Sequence, residues 1–288
     1  MITSVNNPIK DPLSDTQSDS QNIDSGILSY IKAAKEDYPS KEELFAEIKI
    51  QRAKNHKKAT AIKSVAAAVL ISVTTWIINP VISTDSYSTE FSQRMTLTLR
   101  DGSKLRLNSN SKVIAEMRLH SRELALEKGE ASFTVDHGVR PFSVLVNGST
   151  VLDIGTVFNV KQWNDYFITT VESGEVKVIN GKQSINLISG QSIKVMENSL
   201  GAPFLADLDS VAAWQSGRII FNGTSLKEAI SNMQRYRKYP ILLDENAEDL
   251  RISGSYDVNK IEVLLDSFPS LFNLKVSRHA DGVIVIKK

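Results

Sequence analysis

The pattern of apolar and polar positions changes character along the 288-residue chain, and its clearest feature is one long apolar stretch. This stretch covers residues 62–82, and no charged residue lies between Lys63 and Asp85. About twenty uncharged residues are enough to cross a hydrocarbon layer of ~30 Å as a helix. The pattern therefore predicts a transmembrane helix at 62–82, with a buried core helix or a signal sequence as the alternatives.

Charge is distributed unevenly on the two sides of this apolar stretch. The basic residues that precede it are Arg52, Lys54, Lys57, Lys58 and Lys63, whereas Asp85 and Glu90 follow it. Basic flanks stay in the cytoplasm. The asymmetry predicts a cytoplasmic N-terminus and an exported C-terminal part.

The residues before the apolar stretch are polar at first and then weakly amphipathic. Residues 1–24 are rich in Ser, Asp, Asn and Gln, which predicts a disordered tail. Residues 25–58 predict two short helices, and Ser40 with Glu43 forms a capping box at the start of the second. The apolar side of that helix carries Leu44, Phe45 and Ile48. So short a segment does not build a secure core, so these three side chains predict a partner-binding surface, with weak packing of the segment on itself as the alternative.

Alternation of apolar and polar residues dominates residues 92–198. Runs such as Phe142–Val146 and Val157–Trp163 alternate with tight-turn dipeptides such as Asn147-Gly148 and Asn180-Gly181. No helical periodicity interrupts these strands. The pattern predicts an all-β domain, built either as two sheets face to face or as a β-roll.

Helical periodicity returns after a linker predicted at 199–212. Within 213–288, Ser225 and Glu228 form a second capping box, and the helix that follows ends before Pro240. A second helix is expected at about 260–268, with short strands around both. The region predicts a small α+β domain, so the chain as a whole is mainly β with α+β.

Composition excludes several classes of function. The net charge is +1, so the protein has no strong overall field that would attract nucleic acid. Cysteine is absent, which excludes disulfides, thiolate catalysis and Cys-based zinc sites. The histidines His56, His120, His137 and His279 are scattered rather than set at metal-ligand spacing. We therefore expect no cofactor, no metal, no direct contact with nucleic acid and no conventional active site.

Five segments of the β region resemble one known family in sequence and in order. They are Leu99-Arg100-Asp101-Gly102-Ser103 with Leu105 to Ser111, Leu126 to Phe133, Arg140 to Val144, Ile154 to Val160, and Val171 to Val176. This arrangement is similar to the FecR family of membrane-spanning sigma-factor regulators. The region from Trp214 to Tyr236 resembles the C-terminal domain of that family, which is itself similar to the short signalling domains of TonB-dependent receptors and secretins.

The resemblance implies a bacterial inner-membrane protein with a cytoplasmic N-terminus and a periplasmic C-terminus. Its implied partners are an extracytoplasmic-function sigma factor and the signalling domain of a TonB-dependent outer-membrane receptor, in the control of iron or haem uptake genes. A periplasmic and an intramembrane protease are further implied partners. The family's longer cytoplasmic domain with its tryptophans has no counterpart before residue 55, so inhibition and activation of the sigma factor both stay open.

Two sets of residues are candidates for function outside the cytoplasm. Arg235, Arg237 and Lys238 form a basic group that would attract an acidic receptor domain, although such a group also complements a helix dipole. The resemblance further implies self-cleavage between Gly155 and Thr156, with Thr156 as nucleophile and Asp153 as a conceivable helper. The alternative is that Gly155 only makes a bend between strands.

Two other classes of function compete with a signal transducer. One is a periplasmic structural module tethered to the membrane that binds cell wall or an envelope complex. The other is a membrane-anchored hydrolase.

Overall fold

The computed structural model describes residues 26–35 and 39–288, so the tail predicted at 1–24 lies outside the described residues. The chain divides into two units, Met1–Thr74 and Thr75–Lys288. Residues 26–35 form helix α1, and helix α2 (Lys41–Ile78) continues for 38 residues. The capping box is present at the start of α2, where the backbone N–H of Ser40 donates to Glu43 at 2.9 Å and that of Glu43 donates to Ser40 Oγ at 3.2 Å.

Helix α2 joins two helices that the sequence pattern had separated. The predicted helix at the capping box and the predicted span are continuous, because residues 55–62 contain neither Gly nor Pro and include good helix formers. Among the described residues, α2 is the one helix long and apolar enough to cross a membrane. The hydroxyls of Ser72 and Thr74 donate to the carbonyls of Ala68 and Leu70, so these polar groups are satisfied within the helix.

The apolar helix ends earlier than the predicted boundary at residue 82. Asn79 adopts a φ of 45°, and Pro80 has no N–H to continue the helix. Strand β1 (Val81–Ser88) begins directly afterwards. Val81 and Ile82 therefore belong to a sheet, where β-branched residues are favoured, rather than to the span.

Residues 81–205 form a β-sandwich of two sheets. Sheet A contains, in spatial order, β1, β4 (Lys112–Arg118), β5 (Arg122–Lys128), β7 (Phe142–Val146), β8 (Ser149–Asp153), β11 (Glu175–Asn180) and β12 (Gln183–Ile188). Sheet B contains β14 (Ser199–Leu200), β13 (Gln191–Met196), β10 (Tyr166–Ser173), β9 (Val157–Gln162), β6 (Glu130–Thr134), β3 (Lys104–Leu107) and β2 (Met95–Thr98), with β15 (Phe204–Leu205) also beside β13. All pairs in the sandwich are antiparallel except β5 with β7.

Alternating side chains from both sheets build one apolar core. Phe133, Phe142, Phe158 and Phe167 are fully buried there, and the rings of Phe133 and Phe158 stack at 5.0 Å. Of the two architectures that the sequence left open, two sheets packed face to face is the one observed. The residues predicted as a linker include β14 and β15, which pair with β13 and so extend sheet B.

The C-terminal domain, residues 213–288, has its own apolar core. After α3 (Leu208–Ala212) and a 3₁₀ turn (Ala213–Ser216), its elements are β16 (Arg218–Ser225), α4 (Leu226–Met233), β17 (Ile241–Leu243), β18 (Arg251–Asp257), α5 (Ile261–Asp266), α6 (Phe268–Phe272), β19 (Lys275–Arg278) and β20 (Ile284–Lys287). Further 3₁₀ turns are Gln234–Tyr236, Glu245–Ala247 and Val258–Lys260. The helix predicted at 260–268 is thus shorter and is followed by a second helix, which has Pro269 in its first turn, a position that proline favours.

Candidate functional site

The outer face of sheet B is polar and buried, which is unusual for the outside of a sandwich. Glu130 lies at its centre and is 3% exposed. The amide of Asn108 donates to Glu130 Oε2 at 2.9 Å, and that of Asn159 donates to Glu130 Oε1 at 3.0 Å. These three residues come from three different sequence motifs. They form a buried polar network because each stands on a strand of sheet B or directly beside it.

The C-terminal domain covers this face. Asn108 Nδ2 also donates to the hydroxyl of Tyr236 at 2.9 Å, which joins the network to the 3₁₀ turn that follows α4. Ser92 Oγ donates to the carbonyl of Tyr236 at 2.8 Å, and Ser109 Oγ donates to that of Arg235 at 2.7 Å. The motif Asn108-Ser109 therefore binds the C-terminal domain through two adjacent side chains.

Aromatic and cationic side chains complete the contact between the two domains. The guanidinium of Arg235 lies 4.6 Å from the centroid of the Trp163 ring and donates to the carbonyl of Gln162. The ammonium of Lys161 lies 5.0 Å from the same centroid and donates to Asn232 Oδ1. Trp163 Nε1 in turn donates to Ser231 Oγ at 3.0 Å. One indole thus contacts cations from both domains.

Burial changes the acidity of the groups in this contact. Desolvation lowers the pKa of Lys161 and of Arg235, since packing between the two domains takes part of the water from both side chains. Burial, together with the charge of Glu130, raises the pKa of Tyr236 far above its ordinary value, so this hydroxyl stays protonated. The contact therefore places two basic side chains, Glu130 and a neutral phenol close together.

The three residues of the predicted basic group have different surroundings. Arg235 faces sheet B, as described above. The side chain of Arg237 is 10% exposed, pairs with Glu262 at 2.6 Å and donates to the carbonyl of Pro240 at 3.1 Å. Lys238 is exposed. The structure does not present the three as one surface, and of them only Lys238 is fully available to a partner.

The candidate cleavage site lies in the turn between β8 and β9. Gly155 adopts a φ of 94°, which favours glycine, and its N–H donates to Asp153 Oδ2 at 3.1 Å. The hydroxyl of Thr156 donates to Asp153 Oδ1. Thr156 is buried, and its carbonyl accepts a hydrogen bond from Val135 at 3.0 Å. The Asp153 carboxylate therefore accepts hydrogen bonds from both the Gly155 N–H and the Thr156 hydroxyl.

Two further residues touch the Gly155 peptide. Gly174 approaches it so closely that a Cβ at position 174 would stand 2.1 Å from the Gly155 carbonyl oxygen. The imidazole of the exposed residue His137 is also near, with Cε1 at 3.5 Å from where a Cβ of Gly155 would stand.

The predicted partner-binding residues Leu44, Phe45 and Ile48 are exposed on α2. Among residues 26–35 and 39–288, no group of three or more His, Asp or Glu side chains is arranged to hold a metal ion. Sequence reasoning missed Lys161, Trp163 and Glu130. The signal that could have found them is that they are large polar or aromatic residues on, or directly after, strands whose alternate positions are core.

Comparison with known proteins agrees with this architecture. Residues 85–177 match the family described as FecR protein. The chain carries a FecR domain. The match extends from β1 into β11, so β12 to β15 of the sandwich lie beyond it.

Two solved structures of a candidate anti-sigma factor from Parabacteroides distasonis ATCC 8503 share the fold, each with a TM-score of 0.63. The crystal structure at 2.50 Å is 24% identical and covers 72% of this chain and 99% of its own. That at 1.65 Å is 25% identical, with coverage of 71% and 99%. No protein of the curated set matches the chain at a significant level.

The residues of the β-sandwich that contact the C-terminal domain belong to the FecR domain. Asn108, Glu130 and Asn159 all lie inside the matched residues 85–177, as do Lys161 and Trp163. The FecR domain thus supplies the polar face, whereas Asn232, Arg235 and Tyr236 come from the domain that follows it. The paired arrangement, and not the FecR domain by itself, makes the site.

Proposed function

We propose that this protein is a single-pass membrane regulator of a sigma factor. The observation that carries the proposal is the FecR domain, together with structural neighbours described as a candidate anti-sigma factor. The helix α2 adds support, since it runs without interruption from the apolar residues Leu44, Phe45 and Ile48 to Ile78, a few residues before the FecR match begins. Such a helix suits a chain that has one end in the cytoplasm and a folded domain outside.

The finer form of the proposal names the compartments and partners. The basic flank of the apolar stretch favours a cytoplasmic N-terminus in the bacterial inner membrane. The sigma factor is of the extracytoplasmic-function class, and Leu44, Phe45 and Ile48 contact it. Outside, the C-terminal domain receives the signal from a TonB-dependent receptor that takes up iron or haem, and Lys238 is the exposed cation of its basic group.

A transcriptional reporter for the cognate sigma factor tests this proposal. Deleting residues 1–58, or changing Leu44, Phe45 and Ile48 together to alanine, should change reporter output at unchanged protein level. Ile50→Ala is the matched control, because Ile50 is an exposed apolar residue of the same helix outside the three. Output unaffected by both changes would contradict the sigma-factor role and favour a tethered envelope module.

We further propose that the chain cleaves itself once between Gly155 and Thr156. The hydrogen bond from Thr156 to Asp153 supports this, because it places a proton acceptor on the hydroxyl that would attack. The second hydrogen bond to Asp153, from the Gly155 N–H, supports it too, because it holds the peptide that would be attacked beside the same carboxylate.

The reaction has two balanced steps. In the first, Thr156 Oγ bonds to the carbonyl carbon of Gly155, its proton passes to Asp153, and the C–N bond breaks as the proton moves to the new amine of Thr156. The product is an ester between Gly155 and the threonine side chain. In the second, water adds to the ester and releases the Gly155 carboxylate and the threonine hydroxyl, so that two fragments result.

Full-length protein, followed over time on denaturing gels, tests the cleavage. The wild type should yield two fragments, Thr156→Ala none, and Thr156→Ser should cleave because it keeps a hydroxyl. Hydroxylamine, which attacks esters, should increase fragmentation of the wild type but not of Thr156→Ala. Equal fragmentation of the wild type and Thr156→Ala would assign the cut to another protease.

A further inference from the structure

One end of sheet A lies directly beside the last turn of helix α2. Only Asn79 and Pro80 separate this helix from β1. The indole of Trp76 stacks on the imidazole of His120 with the ring centroids 4.4 Å apart, and the carbonyl of Trp76 lies 2.8 Å from His120 Nε2. Asn79 Oδ1 accepts from the N–H of His120 at 3.0 Å, and Asn79 Nδ2 donates to Ser121 Oγ at 2.8 Å. The turn between β4 and β5 is therefore fixed to the end of the helix.

Strand register places the ends of six further elements beside this turn. The pairs that define this end of sheet A are Val81 with Arg118, Met117 with Arg122, Arg122 with Phe142, Ser143 with Leu152, Asp153 with Val176, and Glu175 with Ile188. The guanidinium of Arg140 donates to the carbonyl of Arg118 at 2.9 Å, so residues 135–141, which connect β6 and β7, also pack against the β4–β5 turn.

Exposed apolar side chains are concentrated at this end of the sheet. They are at least 43% exposed and comprise Val81, Ile82, Leu119, Val139, Ile154 and Ile188. The opposite end of sheet A carries polar turn residues instead, namely Asn147, Gly148, Gly181 and Lys182. A concentration of exposed apolar residues marks a surface that contacts protein or membrane.

The helix that leads into this end indicates which of the two is near. Its uncharged part, residues 64–78, is only ~22 Å long at ~1.5 Å per residue, whereas the hydrocarbon core of a bilayer is ~30 Å thick. So short a span leaves no spare helix between the bilayer and the folded domain. Tryptophan favours the level of the lipid headgroups. Because His120 stacks on Trp76, the β4–β5 turn lies at that level too.

Charge does not explain the patch. Side chains of both signs surround it: Arg118 pairs with Glu123 at 2.9 Å, and Arg140, Asp153 and Glu175 lie at the same end of the sheet. Attraction to an acidic lipid needs an excess of cations. The contact that this surface can make is therefore apolar.

We propose that this end of sheet A rests on the bilayer surface from which α2 emerges, with Leu119 and Val139 inserted among the lipid headgroups. The inference rests on the membrane span proposed above. Apolar side chains in the headgroup zone leave water without entering the hydrocarbon core deeply. Such a contact gives the FecR domain a second attachment to the membrane besides α2, so the domain keeps one orientation and does not swing about Asn79 and Pro80.

Spin labelling of the full-length protein in phosphatidylcholine vesicles tests this contact. The chain has no cysteine, so one introduced cysteine takes a single nitroxide label. For labels at Leu119→Cys and Val139→Cys, the ratio of collisions with lipid-soluble oxygen to collisions with an aqueous nickel chelate should be several-fold higher than for Met196→Cys. Met196 is the matched control, because it is an exposed apolar residue whose carbonyl accepts from Asn180, at the opposite end of the sandwich.

A label at Val73→Cys, within α2, separates this inference from the span on which it rests. If the label at 73 lies in lipid while those at 119 and 139 are as exposed to water as the one at 196, the contact is overturned and the span stands. A label at 73 that lies in water overturns both. Labels at 119 and 139 that are protected from both reagents would place a second copy of the chain on the patch, which also overturns the lipid contact.

A double replacement tests whether these side chains hold the domain on the membrane. With the label at Ile188→Cys, replacing Leu119 and Val139 together by aspartate should lower the lipid exposure of the label several-fold, whereas Met196→Asp should leave it unchanged. Without these replacements, the exposure should be the same in phosphatidylcholine alone and with added phosphatidylglycerol. A label at 188 that ignores the double replacement, or that reaches lipid only with phosphatidylglycerol, contradicts the apolar contact.

Discussion

The guanidinium of Arg235 lies over the indole of Trp163, 4.6 Å from Cζ to the ring centroid, although the residues belong to different domains. The same guanidinium donates to the backbone of Gln162. A cation that has lost water on folding gains from an aromatic face only where the two are held together. The pair is therefore the natural probe of how firmly the C-terminal domain is bound.

A double-mutant cycle on this pair should give a coupling free energy of ~1–2 kcal/mol. The variants are Arg235→Met and Trp163→Leu, singly and together, and the measurement is denaturant unfolding of the full-length protein in detergent. Lys238→Met with Trp163→Leu is the control cycle and should show no coupling, because Lys238 is exposed. Additive effects in the first cycle would mean that the contact contributes nothing in solution.

Gly129→Ala should destabilise the FecR domain far more than Gly190→Ala. Both glycines have a positive φ, of 93° and 83°, so both replacements strain the backbone. A Cβ at 129 would also stand 2.5 Å from the Cα of Ser111, whereas one at 190 would meet nothing within 4 Å. We expect a loss of ~3 kcal/mol or more at 129 and ~1 kcal/mol at 190, measured by denaturant unfolding. Equal losses would show that strain alone decides the effect.

Gly174→Ala should slow the proposed cleavage between Gly155 and Thr156 by roughly 10²-fold, the effect expected of a displacement of about 1 Å in reacting atoms. The reason is that the new Cβ would stand 2.1 Å from the Gly155 carbonyl oxygen and push that peptide away. Gly181→Ala is the control, since Gly181 also has a positive φ but is surrounded by open space. Fragment yield on gels, read with and without hydroxylamine, gives the rate. An unchanged rate in Gly174→Ala would show that cleavage does not depend on the close approach of Gly174 to the Gly155 carbonyl.

Glu262→Gln should weaken the C-terminal domain at pH 7 but not at low pH. Partial burial acts to raise the pKa of Glu262, but hydrogen bonds from Arg278 and Arg237 outweigh it and leave the pKa below its ordinary value of 4.5. A lowered carboxyl pKa gives stability that is present above the ordinary value and is lost as pH falls through the lowered one.

The expected loss at pH 7 is about 0.5–1 kcal/mol, because Glu262 is half exposed and solvent screens its pairs. Thermal unfolding at pH 7 and again below pH 4 checks both halves of this prediction. Glu245→Gln, at an exposed acidic residue of the same domain, should change neither value. A deficit for Glu262→Gln that is as large in acid as at pH 7 would indicate a packing effect instead of a charge effect.

Much of the architecture followed from local patterns. Alternation with turn dipeptides predicted the sandwich, and Phe142–Val146 is a strand with the predicted bounds. The capping box at Ser225 is present as well, with Glu228 N–H donating to Ser225 Oγ at 3.3 Å. These predictions succeeded because turns, caps and periodicity depend on neighbours within a few residues.

Boundaries and the candidate site were harder to predict. The end of α2 at Ile78 depends on Val81 pairing with Arg118 of β4, which lies 37 residues further along the chain. The sequence allowed Gly155 to be a bend between strands, but nothing near it in the chain indicates that Gly174 packs against its carbonyl oxygen. Contacts between residues so far apart in the chain cannot be predicted from the residues near each of them.

By itself the sequence determined one apolar helix, a β-rich region and a small α+β domain, because each depends on the period of nearby side chains. Only the tertiary structure decided that Asn108 and Tyr236, 128 residues apart, share a hydrogen bond. It also turned the polar face of sheet B inward, beneath the C-terminal domain. The physical reason is that polar residues on alternate strand positions ordinarily face water, and only the packing of a second domain shows which of them are buried.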